Sequence, residues 1–338
     1  MSGATEVHMK KRIEYFDVAK ALLIALVVIG HELQYANPAY DIIPYTLAQE
    51  FIGSFYMPAF FVISGLLFKP ESLAERSWGE FILRRIRTLV IPYFFFEMLA
   101  IVYKSLVLRS VSIVEGLRLM VTFHCNVGAD WFLPAMFMAD IIFFALVKYL
   151  HNKYVFAAAA VLCFAATPFL PAGHWWGLLF RCLLGLGFIL IGCLLKKFMS
   201  AFTFPKAAVA FLLTAASSAA CFKFGWGNDF YGCVLGSPPL FALSGICGTY
   251  FVLWLASHIH GRLFTLIGEN SLIIMGTHQL VLYTVPTRSD ILWIACVFVL
   301  IAAVEAALIF AINRFCPWLI GKTGKGVSHD GVKTGNGA

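Results

Sequence analysis

The amino-acid sequence predicts an all-α, polytopic integral membrane protein with about ten transmembrane helices and both termini in the cytoplasm. Three observations predict it. The 338 residues are 61% hydrophobic and only 13% charged, with a mean hydropathy of +0.84. A soluble domain is nearer 45–50% apolar and about 25% charged, so the surplus exceeds what one globular core can bury. The apolar residues fall in runs near the roughly 20 residues that a helix needs to cross a bilayer. Lysine and arginine crowd every second connection, which fits an even number of crossings.

Residues 1–15 read as a cytoplasmic N-terminal segment carrying Lys10, Lys11 and Arg12. They mimic the start of a signal peptide, but no small-x-small cleavage site follows, so the next apolar run is read as a retained first crossing. The crossings are expected at 16–36, 47–68, 88–108, 131–150, 154–171, 175–195, 205–223, 238–257, 263–284 and 291–313. The second contains Gly53, Pro58 and Gly65, which are tolerated where neighbours satisfy the freed backbone. The fifth is short. Residues 16–313 then form one membrane domain, and 314–338 a Gly- and Lys-rich tail of disordered composition.

In this topology Lys10, Arg12, Lys69, Arg84, Arg85, Arg87, Lys148, Lys196, Lys197, Arg262 and Arg314 fall on the cytoplasmic side. Only Lys104, Arg109, Arg118, Lys223 and Arg288 fall on the other. The net charge of +7 is thereby explained by topology, and no nucleic-acid signature accompanies it. Gly321-Lys322-Thr323 is not a phosphate-binding loop, because Cys316 stands where the upstream Gly is required. The nine cysteines show no Cys-x-x-Cys spacing and read as small buried hydrophobes; Cys125 and Cys233 fall in outer loops, where they could pair. No metal site is expected.

The candidate chemistry begins on the first helix. Lys20 and His31 are eleven positions apart, three helical turns plus about 20°, so they share a face roughly 16 Å apart along the axis. Asp17 sits one turn below Lys20. Ionisable groups inside a bilayer usually face a protein interior or a wet cavity. Arg84 and Arg87, three apart at the start of the third crossing, would be neighbours on one face, and guanidinium pairs suit phosphate oxygens. Coenzyme A carries three phosphates and stays in the cytoplasm. Ser64-Gly65 ends an aromatic stretch, FYMPAFFVISGLLF. Asp130 and Trp131 open the fourth crossing, Asp130 as a helix cap and Trp131 as an interfacial residue or a platform for a sugar ring. Glu269 lies in the inner half of the ninth crossing, and His278 reaches a depth similar to His31.

In order and spacing these motifs resemble the membrane acyltransferase-3 family. Lys20 and His31 match its basic residue, ten positions, then His; Arg84 and Arg87 match its Arg-x-x-Arg. FYMPAFFVISGLLF and IGENSLIIMGTHQLVL are similar to its aromatic and late-helix segments. The nearest branch is the fucose 4-O-acetylase-like one. Ala21 departs from the Gly that many relatives have there. The resemblance implies O-acylation, most readily O-acetylation, of a sugar hydroxyl on a surface polysaccharide or its lipid-linked precursor, in a bacterial plasma membrane. It implies acetyl-CoA or another acyl-CoA as co-substrate, with no tightly bound cofactor. Arg84, Arg87 and Lys20 would hold the donor, whose pantetheine arm would thread past the first helix. His31 would be the base, or would form an acyl-histidine, with Lys20 and Asp17 in support. Trp131, Asp130, His278, Glu269 and Ser64 would meet the acceptor. A transporter for a lipid-linked saccharide and a non-catalytic membrane partner are the competing classes.

Overall fold

The computed structural model describes residues 2–150, 152–171 and 174–322, and of residues 2–13 and 174 the backbone alone. α1 runs from Ser2 to Ala36. It stops where Asn37 precedes Pro38, a position that disfavours helical backbone. The buried Asn37 side chain organises the exit: its Oδ1 accepts from Asp41 N and Ile42 N, and its Nδ2 donates to Thr46 Oγ1. α2 (Ile43–Gly53) and α3 (Tyr56–Leu67) follow with a break at Ser54 and Phe55. After α4 (Pro70–Ala74), α5 (Trp78–Arg85) starts from a capping box in which Ser77 and Glu80 satisfy each other's backbone amides. A π-helical turn, Ile86–Val90, leads into α6 (Ile91–Val102), and a second, Tyr103–Val107, ends it.

α7 (Ile113–Val121) is capped by Ser112. A 3-10 turn (Gly128–Trp131) opens α8 (Phe132–Tyr149). α9 (Lys153–Ala166), α10 (His174–Leu194), the short α11 (Lys196–Met199) and α12 (Phe204–Phe224) follow. The small antiparallel hairpin of β1 (Asn228–Asp229) and β2 (Val234–Leu235) joins α12 to α13 (Pro238–Ala256). The chain continues through α14 (Arg262–Glu269), α15 (Ser271–Leu282) and α16 (Ile291–Phe315), the last capped by Asp290.

Among the described residues seven helical stretches are long and apolar enough to cross a membrane, and Lys153–Phe169 and Ser271–Leu282 are shorter apolar helices. The protein is all-α and polytopic. The expected continuous helix over 263–284 is divided at Asn270, whose Nδ2 bonds the Leu266 carbonyl and whose Oδ1 accepts from Asn313 and Lys322. That network also bears on the expected tail. α16 runs past 313 to Phe315, a 3-10 turn (Pro317–Ile320) follows, and Lys322 is bonded to the bundle. Residues 323–338 lie outside the described residues.

α1 sits at the centre, touching α2, α3, α13, α14, α15 and α16. Phenylalanines dominate the interior; Phe61, Phe96, Phe143, Phe144, Phe180 and Phe188 are fully buried. Lipid gives no hydrophobic drive between helices, so close packing of small residues holds such bundles. α3 and α10 show this reciprocally. A Cβ on Gly65 would fall on the Ile189 carbonyl oxygen, and one on Gly192 on the Val62 carbonyl oxygen. Gly65→Val is expected to force these helices apart at a cost of about 1–3 kcal/mol. A lowered melting temperature of the detergent-purified variant, followed by size-exclusion chromatography, checks this.

Candidate functional site

Two histidines meet between α1 and α15. His31 Nδ1 lies 2.9 Å from His278 Nε2, with the ring centroids 5.0 Å apart. His278 Nδ1 is 2.6 Å from the Ile274 carbonyl oxygen one turn earlier. A carbonyl only accepts, so in the neutral ring the His278 proton sits on Nδ1 and Nε2 is bare. His278 Nε2 therefore accepts from His31 Nδ1–H. That leaves His31 Nε2 with its lone pair, an assignment that follows from the hydrogen-bond network. His278 is fully buried, whereas His31 lines a cavity of about 500 Å³.

The cavity walls are aromatic and polar. Tyr35, Tyr56, Trp131, Phe230, Gln279 and Tyr283 form part of them. Trp131 packs on Phe230 at 4.9 Å between centroids, with the Arg181 guanidinium 5.8 Å from its ring centre. Arg181 donates to the Tyr231 carbonyl through Nε and Nη2, at 2.9 and 2.6 Å. This ties α10 to the β-hairpin that closes the cavity.

Behind the Trp131 wall a buried carboxylate fixes the approach of the chain. Glu97 of α6 accepts from the Asn126 backbone N (2.8 Å), Asn126 Nδ2 (2.7 Å) and Val127 N (3.2 Å). The Asn126 carbonyl in turn accepts from Lys104 Nζ and Tyr283 Oη. Gln279 Oε1 takes the Ala129 N–H at 3.3 Å. An irregular segment at this depth is tolerated because its polar groups are paired within the protein.

A second cavity of about 350 Å³ lies at the other end of α3. Lys69, Arg76, Arg84 and Arg85 line it, with Ser64 and Ser72. Its wall is braced from behind, because Lys148 Nζ donates to the Ala74 and Arg76 carbonyls and Lys196 Nζ to that of Phe68. Arg85 Nε pairs with the buried Asp140 of α8 at 2.9 Å. Met57 lines the first cavity and Ser64 the second. Seven residues apart, they share one face of α3 about 10.5 Å apart along the axis. Phe60 and Phe61 lie between them and pack on Phe132 at 5.8 and 5.0 Å. None of these three rings lines either cavity, so packed protein interior separates the two.

An acyltransferase domain model, that of the acyltransferase-3 family, matches residues 13–313. The chain belongs to the acyltransferase-3 family. It is 29% identical over 157 residues to nodulation protein NolL of Mesorhizobium japonicum, a match covering 45% of this chain and 41% of NolL. The matched stretch is thus well under half of that relative's length. No solved structure matches.

The sites expected from the sequence are redistributed in this acyltransferase. His31, His278 and Trp131 come together around the first cavity. Arg84 lines the second, but Arg87 does not, and it is exposed. A π-helical turn begins at Ile86, just before it. Ser64 sits with the arginines rather than with Trp131. Lys20 pairs with Asp17 at 2.5 Å, and neither lines either cavity. Glu269 is exposed at the end of α14, away from both cavities. Asp130 is fully buried; neither of its oxygens has a hydrogen-bond partner among the described residues, and it does not cap α8. Sequence reasoning missed Tyr56, Glu97, Asn126 and Gln279. Gln279 was visible beside His278, whereas Glu97 sits in an aromatic run with nothing nearby to mark its partner.

Asn126→Ala would leave the Glu97 carboxylate buried with its side-chain donor gone. The backbone donors of residues 126 and 127 remain, so the loss is that of one hydrogen bond to a charged group, about 1.5–3 kcal/mol. We expect a lower melting temperature together with altered Trp131 fluorescence, because the same loop positions that ring.

Proposed function

We propose that this acyltransferase moves an acyl group, most readily acetyl, from acyl-CoA to a sugar hydroxyl of a surface polysaccharide or its lipid-linked precursor. The observation that carries the reading is the His31 ring, held by His278 through Nδ1 and lining one cavity, with a second cavity lined by four cations at the other end of α3. We further propose ten crossings with cytoplasmic termini in a bacterial plasma membrane. They comprise the seven long apolar stretches, α1, Lys153–Phe169 and the divided α14–α15 segment. This puts the basic cavity on the cytoplasmic side, where acyl-CoA is made.

Lys69, Arg76, Arg84 and Arg85 would bind the donor phosphates, since guanidiniums grip such oxygens bidentately. The pantetheine arm would follow the face of α3 from Ser64 towards Met57, displacing the Phe60–Phe61–Phe132 contact. That route replaces the expected one along Lys20 and α1. The acceptor would stack on Trp131 with a hydroxyl at His31 Nε2. His31 takes the hydroxyl proton as the oxygen attacks the thioester carbonyl. Collapse of the tetrahedral intermediate breaks the carbon–sulfur bond, and the thiolate leaves with the proton that His31 held. Ester and free thiol are the products, with no net change in protons. The buried His278–Ile274 bond keeps His31 in the tautomer that can act, a positioning role.

His31→Ala should lower acyl transfer by about 10²–10⁴-fold, the usual worth of a general base, in purified, folded protein assayed with acetyl-CoA and host glycan. Turnover near that of the wild type would remove His31 from catalysis. Saccharide movement across vesicles without acyl-CoA consumption would replace the whole reading by transport. The double variant Arg76→Ala, Arg84→Ala should raise the dissociation constant for acetyl-CoA by about 10-fold or more, since a hydrogen bond to a charged group contributes about 1.5–3 kcal/mol. Titration calorimetry measures it, and an unchanged constant would reassign these cations to topology.

A further inference from the structure

The two cavities carry opposite charge. The one at Arg84 is lined by four cations, Lys69, Arg76, Arg84 and Arg85, and no acidic residue. The one at His31 is lined by two carboxylates, Glu50 of α2 and Asp229 of β1, and by no lysine or arginine among the described residues. Glu50 and Asp229 come from different elements yet converge on the same side. Asp229 is close enough to act on both Glu50 and Tyr56. Tyr56 stands beside Gly30, the residue before His31. A ligand that fills this cavity and reaches His31 therefore shares it with both carboxylates.

Arg181, Lys104 and Arg288 do not offset them within the cavity. Arg181 is buried behind the wall, with its guanidinium committed to the Tyr231 and Phe123 carbonyls. Lys104 is committed to the Asn126 carbonyl and lies 4.0 Å from the centre of the Tyr283 ring. Arg288 is stacked over Trp293. None of the three lines the cavity.

We propose that Glu50 and Asp229 select the acceptor by charge, so that the sugar unit presented to His31 bears no carboxylate, phosphate or sulfate. This rests on the reading of the cavity as the acceptor site. Like charges brought together oppose binding, whereas a neutral saccharide can use the same carboxylates as hydrogen-bond acceptors. An amino-bearing unit is favoured further. If the acceptor is lipid-linked, its phosphates stay at the mouth. The same pair also repels the donor phosphates, which keeps the nucleotide in the basic cavity while only the uncharged thioester arm crosses from one cavity to the other.

Binding and transfer are read separately in protein reconstituted into nanodiscs. The probes are a β-linked glucose trisaccharide and its glucosamine and glucuronate counterparts. Binding is followed by quenching of tryptophan fluorescence, and transfer by mass spectrometry with acetyl-CoA present. The glucose and glucosamine probes should bind at least about 10-fold more tightly than the glucuronate probe. The double variant Glu50→Gln, Asp229→Asn should bring that ratio to within about twofold. Both substitutions keep size and one acceptor oxygen while removing the charge, and Asp229 is exposed. Equal binding of all three probes, binding of none, or a ratio unchanged in the double variant overturns the proposal. Selective binding without acyl transfer leaves the charge selection standing and removes the acyltransferase reading of the cavity. Transfer to glucose and glucuronate alike does the reverse.

Discussion

The hydrogen bond between His31 and His278 is the contact around which the rest is arranged. It joins the central helix, α1, to α15, and it needs both rings at one depth and in complementary tautomers. The Ile274 carbonyl settles the second requirement by accepting from His278. The first requires α15 to lie flush against α1. Just below, the break at Asn270 lets α14 and α15 follow α1 with different inclinations, and Gly268 lets α14 meet the Asp17 backbone without a side chain between them. A straight, uninterrupted helix over 263–284 would not have that freedom.

The same economy governs the other irregular places. Non-helical backbone occurs inside this bundle where buried polar groups receive it. Glu97 holds Asn126 and Val127, the Asn270–Asn313–Lys322 cluster holds the junction of α14 and α15, and Asn37 holds the exit of α1. In hydrocarbon an unpaired amide or carbonyl costs several kcal/mol, so these side chains decide where the chain may bend. The bends in turn shape the cavities, with the hairpin and the 3-10 turn at Gly128 closing one and the turn between α4 and α5 closing the other.

Much of this was legible in the sequence. Apolar runs located most of the long helices to within a few residues, although α1 begins at Ser2 and the third stretch at Trp78, well before the expected 16 and 88, and composition pointed to a membrane. The pairing of His31 with His278 was visible as a match of depth. What misled was the assumption of ideal winding. Arg84 and Arg87 sit three apart, yet only Arg84 lines the basic cavity, and nothing in the residues 86–90 announces the π turn that starts there. Lys20 and His31 do share a face, yet proximity to Asp17 claims the lysine. Asp130 looked like a cap because it precedes a helix, but the 3-10 turn it belongs to starts earlier and buries it. Glu50 and Asp229 were unreadable as partners, being far apart in sequence and joined by packing alone.

The π turn at Ile86–Val90 has a consequence for how this chain tolerates change. Such a turn is an α-helix holding one residue more than its pitch accommodates. Deleting a residue there lets the winding relax while the helix on either side keeps its rotational setting, whereas a deletion inside α8 would re-face half of that helix by about 100°. The slack sits next to Arg84 and Arg85, where the basic cavity is hinged to the bundle. Length variation at this spot would therefore be absorbed without turning Arg84 and Arg85 out of the basic cavity and without disturbing the histidines.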